Sequence, residues 1–83
     1  MKIFEDKKSP KIDQILSLIS EYANRKVDFN SAGLKLVDDL GFDSFSLVEI
    51  TYELEIRLGV KISNDELKKI VTISDVIKIV ESR

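Results

Sequence analysis

The chain has 83 residues, 43% of them hydrophobic and 34% charged, with a formal net charge of −2; this suits one small globular domain and not a disordered segment. It holds no cysteine and no histidine, which excludes a disulfide-stapled fold, a Ser–His or Cys–His nucleophilic pair, and a zinc site built from those ligands. No apolar run approaches the roughly 20 residues of a membrane-spanning helix, and the opening MKIFEDKKSP lacks the apolar core of a secretion signal, so the expectation is a cytoplasmic domain that does not enter a membrane.

The only proline, Pro10, follows Ser9. Serine at the cap and proline at the first helical position start a helix well, because proline's missing N–H would have no partner there anyway. Ile12, Ile15, Leu16 and Ile19 continue at helical spacing, with Tyr22 and Ala23 extending the stripe, so a first helix is expected over about Pro10 to Ala23. The next stretch, Asn24 to Asp43, has no sustained period. Asn30, Ser31 and Gly33 read as turn residues, while Leu34, Leu36, Val37, Leu40 and Phe42 are apolar. A long connection of this composition is expected to pack on the core, and in so small a domain it points to a functional reason.

A second helix is expected from Ser44 to Leu58, closed by Gly59. Ser63 and Glu66 have the spacing of a capping box and start a short helix, about Asn64 to Ile70. Thr72 and Asp75 repeat the pattern, and Ile73, Val76, Ile77 and Val80 carry a last helix to about Glu81. No segment alternates long enough for a sheet. The fold class is therefore all-α: a small four-helix bundle of three main helices and one short one, with a long loop between the first two.

The second helix has two apolar faces. At about 100° per residue, Leu47, Ile50, Thr51, Leu54 and Leu58 cluster on one side as the core face. Phe45, Val48, Tyr52 and Ile56 form a second stripe roughly opposite, bordered by Ser46, Glu49 and Glu53, with Glu55 near its other edge. A helix of a small bundle can bury only one face, so the second stripe reads as a docking surface unless the loop or the third helix covers it. Residues Leu36 to Ile56 also carry six acids (Asp38, Asp39, Asp43, Glu49, Glu53 and Glu55) and no Lys or Arg. That sign is wrong for nucleic acid and right for basic protein partners. Added salt or divalent cations should relieve the crowding, by screening or by binding near Asp38, Asp39 and Asp43.

The run L-G-F-D-S-F, Leu40 to Phe45, precedes the second helix. Gly41 permits a tight turn, and either Asp43 or Ser44 can cap the helix. The longer segment LVDDLGFDSFSLVEITYELEIRLGVKIS, Leu36 to Ser63, resembles the centre of the acyl carrier proteins: acidic residues, then L-G-x-D-S, an apolar residue, and an amphipathic helix with acidic positions. The helical order and the long first loop agree, and the resemblance extends from about Ser9 to Glu81 within a single expected carrier domain, residues 1–83.

The resemblance implies that Ser44 receives 4′-phosphopantetheine from coenzyme A through a phosphopantetheinyl transferase, with Asp43 helping to present the site. The arm's thiol would carry acyl or aminoacyl groups as thioesters, supplying the reactivity that the chain lacks. The attached phosphodiester would lie at the N-terminus of the second helix, where the dipole and free N–H groups favour an anion. Phe45, Val48, Glu49, Tyr52, Glu53, Glu55 and Ile56 would dock partner enzymes: a loading ligase and downstream synthases or transferases of fatty-acid or polyketide type. The protein itself would be non-catalytic, monomeric and without a bound metal.

The chain also departs from the family pattern. Phe45 stands where leucine, isoleucine or methionine is usual, Ser46 where an acid is common, and Ile56 with Arg57 where acids often continue. The docking face is thus less acidic and more apolar, which suggests a specialised carrier with few partners. Phe42 and Asp43 replace the second glycine common in peptidyl carriers, favouring an acyl or D-alanyl type. Fatty acyl, polyketide, aminoacyl and D-alanyl cargo all remain open. The competing reading is an unmodified helical interaction module that uses the same stripe. An enzyme built on its carboxylates, with Asp38 and Asp39 holding a cation, is disfavoured because no glycine framework shapes a pocket.

Overall fold

The computed structural model describes residues 10–82. Four α-helices follow one another: α1 (Pro10–Ala23), α2 (Ser44–Leu58), α3 (Asn64–Lys69) and α4 (Ile73–Glu81), with a 3₁₀ turn at Phe29–Ser31 in the long connection. Among the described residues no strand forms, and one antiparallel bridge joins Lys35 to Thr72. The all-α bundle and its long first loop are as expected. Ser9, read as the first cap, lies outside the described residues.

Each main helix contributes one apolar stripe. Ile15, Leu16, Leu18 and Ile19 of α1, Ile50 and Leu54 of α2, and Ile73, Val76, Ile77 and Val80 of α4 are buried together. α1 packs against both α2 and α4, and α3 packs against α2. Thr51, the one buried polar residue among those described, directs its hydroxyl to the Val48 carbonyl at 2.9 Å, so that hydroxyl is not stranded.

Helix boundaries follow from local chemistry. Gly59 ends α2 in the left-handed conformation (φ 67°), its N–H donating to the Glu55 carbonyl; a side chain there would be strained. Capping boxes start α3 at Ser63 and α4 at Thr72. α3 stops at Lys69, one residue before the expected Ile70, which is extended at the cap and buried. Burial of the isoleucine side chain from an extended backbone outweighs one more helical residue.

The long connection is held at several points. Val27, Leu36 and Phe42 are buried in the common core. Backbone bonds fasten it to the α3–α4 junction: Leu36 N–H donates to Val71 O at 2.9 Å, Ile73 N–H to Leu34 O at 3.1 Å, and Ser74 N–H to Ala32 O at 2.8 Å. Inside the loop, Asp39 accepts from Lys35 N–H at 2.7 Å, capping a turn that closes when Gly41 N–H reaches Val37 O. Val37, expected among the residues packed down, is instead exposed: within this tight turn Leu36 takes the inward position and its neighbour must face out.

Candidate functional site

The site is built at the junction of the loop and α2. Gly41 takes φ 77°, reversing the chain. Phe42 then anchors it: its side chain is buried and its N–H donates to Leu36 O at 3.0 Å. Asp43 is the N-cap, extended, with its carboxylate accepting from Ser46 N–H at 2.8 Å. That bond holds the Asp43 carboxyl below its ordinary pKa, so it is ionised at neutral pH. Of the two candidate caps, Asp43 does the capping. Ser44 begins the helix with an exposed side chain and no hydrogen bond to its hydroxyl among the described residues.

This geometry fits a bulky group on Ser44. The hydroxyl projects from a rigid helix start into solvent, released from the capping role that usually explains a serine there. One expectation needs correction. The Ser46 N–H is already taken by Asp43, so a phosphodiester on Ser44 would meet the helix dipole with fewer free donors than expected, beside an ionised carboxylate.

The second stripe of α2 is uncovered. Phe45, Val48, Tyr52 and Ile56 are 69%, 49%, 61% and 61% exposed; neither the loop nor α3 covers them. On the inner face Leu47 and Leu58 pack at the edge of the core formed by Ile50 and Leu54. The three glutamates differ. Glu53 pairs with Arg57 at 3.2 Å. Glu55 turns away from the stripe and accepts from Ile62 N–H at 2.8 Å, closing the connection into α3. Glu49 has neither kind of partner among the described residues. Asp38 is exposed, and among the described residues no three or more carboxylates gather to hold a metal ion. The expected cation binding around Asp38, Asp39 and Asp43 therefore has no cluster to support it: Asp39 and Asp43 are each directed to a backbone N–H of their own turn.

Tyr22 was missed as part of this surface. The α1 stripe counts it with the core, but it lies at the rim, and partial burial with the carboxylates of Glu49 and Glu53 raises its phenol pKa. Its place at the last turn of α1, beyond the fully buried Ile19, was the available signal.

Known proteins resemble this chain in sequence and in fold. Residues 13–80 match the family described as the phosphopantetheine attachment site. An acyl carrier protein of Rickettsia massiliae is 34% identical over 74 residues, covering 88% of this chain and 86% of its own. One from Thermotoga maritima is 34% identical over 70 residues, covering 84% and 86%. The crystal structure of a Thermotoga maritima acyl carrier protein shares the fold, with a TM-score of 0.70 at 24% identity over 86% of this chain and 82% of that one. The chain therefore belongs to the acyl carrier protein family, whose covalent group is 4′-phosphopantetheine.

Proposed function

We propose that this protein carries acyl or aminoacyl groups as thioesters on a 4′-phosphopantetheine arm attached to the Ser44 hydroxyl, and that it catalyses no reaction itself. The observation that carries this reading is the division of labour at the start of α2: Asp43 caps the helix while the neighbouring Ser44 stays exposed and unbonded. The arm's thiol supplies the reactive sulfur, which a chain without cysteine cannot. The chain supplies position. Gly41 and Phe42 fix the loop end, Asp43 orients the first turn, and α2 presents Ser44 beside its outer stripe.

The same reading assigns Phe45, Val48, Glu49, Tyr52 and Ile56 to docking. The partners would be a phosphopantetheinyl transferase, a loading ligase and downstream enzymes. The apolar character of the stripe supports a specialised carrier serving few enzymes in one pathway.

The test is intact mass after incubation with coenzyme A and a broad-specificity phosphopantetheinyl transferase. Wild type should gain one phosphopantetheine and Ser44→Ala none. Failure of wild type to gain mass with that transferase and with a cognate one, the helical circular dichroism being intact, would instead favour an unmodified interaction module.

A further inference from the structure

We propose that Asp75, at the start of α4, is a positioning residue for the modification of Ser44: through the Val71–Thr72 peptide and Leu36 it fixes Phe42, which anchors the end of the loop just before Ser44. This role rests on the carrier reading of Ser44 and adds to it a residue from the far end of the chain.

A capping box asks Asp75 only to accept from the Thr72 N–H. Here its Oδ2 accepts from two successive N–H groups, Thr72 at 3.0 Å and Val71 at 2.9 Å. The first of these bonds chiefly holds the carboxyl below its ordinary pKa, so it accepts as an anion at neutral pH. The Thr72 N–H and the Val71 C=O belong to one planar peptide unit and point to opposite sides of it. Asp75 holds one side. On the other side Val71 O accepts from Leu36 N–H at 2.9 Å. A tilt of that plane therefore moves the acceptor on which Leu36 hangs.

Leu36 passes the constraint on. Its side chain is fully buried, and its own C=O accepts from Phe42 N–H at 3.0 Å. Phe42 is buried as well and directly precedes Asp43, whose carboxylate caps α2 on the Ser46 N–H. Two other bonds of this junction, Ile73 N–H to Leu34 O and Ser74 N–H to Ala32 O, hold the loop further from Ser44 along the chain. In the modification the Ser44 oxygen bonds to the phosphorus that carries the pantetheine of coenzyme A. The pyrophosphate P–O bond breaks, adenosine 3′,5′-bisphosphate leaves, and the hydroxyl proton is lost to the medium. The attacking oxygen must lie in line with the leaving one, and a misplacement of about 1 Å can cost about a hundredfold in rate.

The test measures this modification on the full chain, with coenzyme A and a broad-specificity transferase. Asp75→Ala should lower kcat about fivefold or more and leave KM within about twofold, because the outer face of α2 is untouched. Asp75→Asn keeps an acceptor oxygen without the charge and should lower kcat by only about twofold to threefold. Thr72→Ala is the control: it removes the hydroxyl that accepts from Asp75 N–H, weakens the same helix start, and should leave kcat unchanged. Amide exchange at Leu36 and Phe42 should quicken about tenfold in Asp75→Ala, about threefold in Asp75→Asn, and not in Thr72→Ala. Should circular dichroism show Asp75→Ala unfolded, Asp75→Asn against Thr72→Ala carries both readouts. The same kcat in the Asp75 variants as in Thr72→Ala, or unchanged exchange at Leu36 and Phe42, would overturn the positioning role and leave the carrier reading standing. No gain of phosphopantetheine by wild type, with this transferase or a cognate one, would remove both.

Discussion

α2 and α4 are both amphipathic helices of one small bundle, yet they dispose of their apolar residues differently. In α4, Ile73, Val76, Ile77 and Val80 are all buried, and its polar positions face outward or cap. In α2, Ile50 and Leu54 are buried beside Thr51, while Phe45, Val48, Tyr52 and Ile56 remain exposed. The core accounts for every buried apolar residue of α4 and for only half of the pattern in α2. Exposed aromatic and isoleucine side chains contribute little to folding, so the outer stripe of α2 is the part of the pattern that the core does not account for.

The comparison is most sharply tested by truncating each face of α2. Leu54 is fully buried, so Leu54→Ala should cost about 2–5 kcal/mol through lost transfer energy and the cavity left behind. In a domain of this size that is much of the total stability, and the midpoint in urea should fall steeply. Tyr52→Ala, two residues away on the other face, should change stability by less than about 0.5 kcal/mol, since alanine favours the helix and little burial is lost. Urea unfolding of the two variants decides the matter: comparable losses would mean that the outer stripe belongs to the fold.

Much of this was legible in the sequence, for identifiable reasons. Helix boundaries came from Gly59, the Ser63–Glu66 and Thr72–Asp75 boxes and the 3.6-residue period, all of which act within a few residues. Position 44 stands out only through the resemblance of the segment Leu36 to Ser63 to the acyl carrier proteins; alone, a serine at a helix start reads as a cap. What was hidden depends on contacts distant in sequence. The fastening of residues 32–36 to residues 71–74 uses backbone atoms that leave no side-chain signature. The use of Glu55 by Ile62 N–H looks, on a helical wheel, like any surface acid. The outward turn of Val37 follows from tight backbone geometry that composition does not encode.

The start of α4 gives a second, smaller test, because it anchors a helix with no exposed apolar face to the loop that presents Ser44. Thr72→Ala removes the hydroxyl that accepts from Asp75 N–H at 3.2 Å and should cost about 1 kcal/mol, or about 4–8 °C in Tm. In return, the Asp75 carboxylate accepts from Thr72 N–H at 3.0 Å and Val71 N–H at 2.9 Å, and the first of these bonds chiefly depresses its pKa. A carboxyl depressed in the folded state contributes stability above its unfolded pKa, near about 3.9, and loses it as pH falls through the folded value. Asp43 shifts the same way. Stability should therefore decline from about pH 5 downward, and Asp75→Asn should flatten that decline. Urea midpoints across the acid range measure both effects. An unchanged slope in Asp75→Asn would assign the acid sensitivity to other carboxylates.

The smallest expected effect concerns the charge on the loop and on α2, where the six acids of Leu36 to Ile56 have no basic residue among them. Arg57, the next residue along, pairs with Glu53, so the remaining repulsion is modest and solvent-exposed. Sodium chloride should raise Tm by a few degrees at most, on the order of what screening of exposed like charges provides. Magnesium is the sharper reagent. If Asp38, Asp39 and Asp43 converged on an ion, magnesium would stabilise the protein more than sodium at equal ionic strength, by mass action. They do not converge: Asp39 faces Lys35 N–H and Asp43 faces Ser46 N–H, each carboxylate already serving its own turn. Melting curves in the two salts, matched for ionic strength, should superimpose. A larger shift with magnesium would mean that the loop rearranges to bind it, with the Asp43 cap given up, and the acids around Ser44 would then act as an ion site and not as supports of the turn.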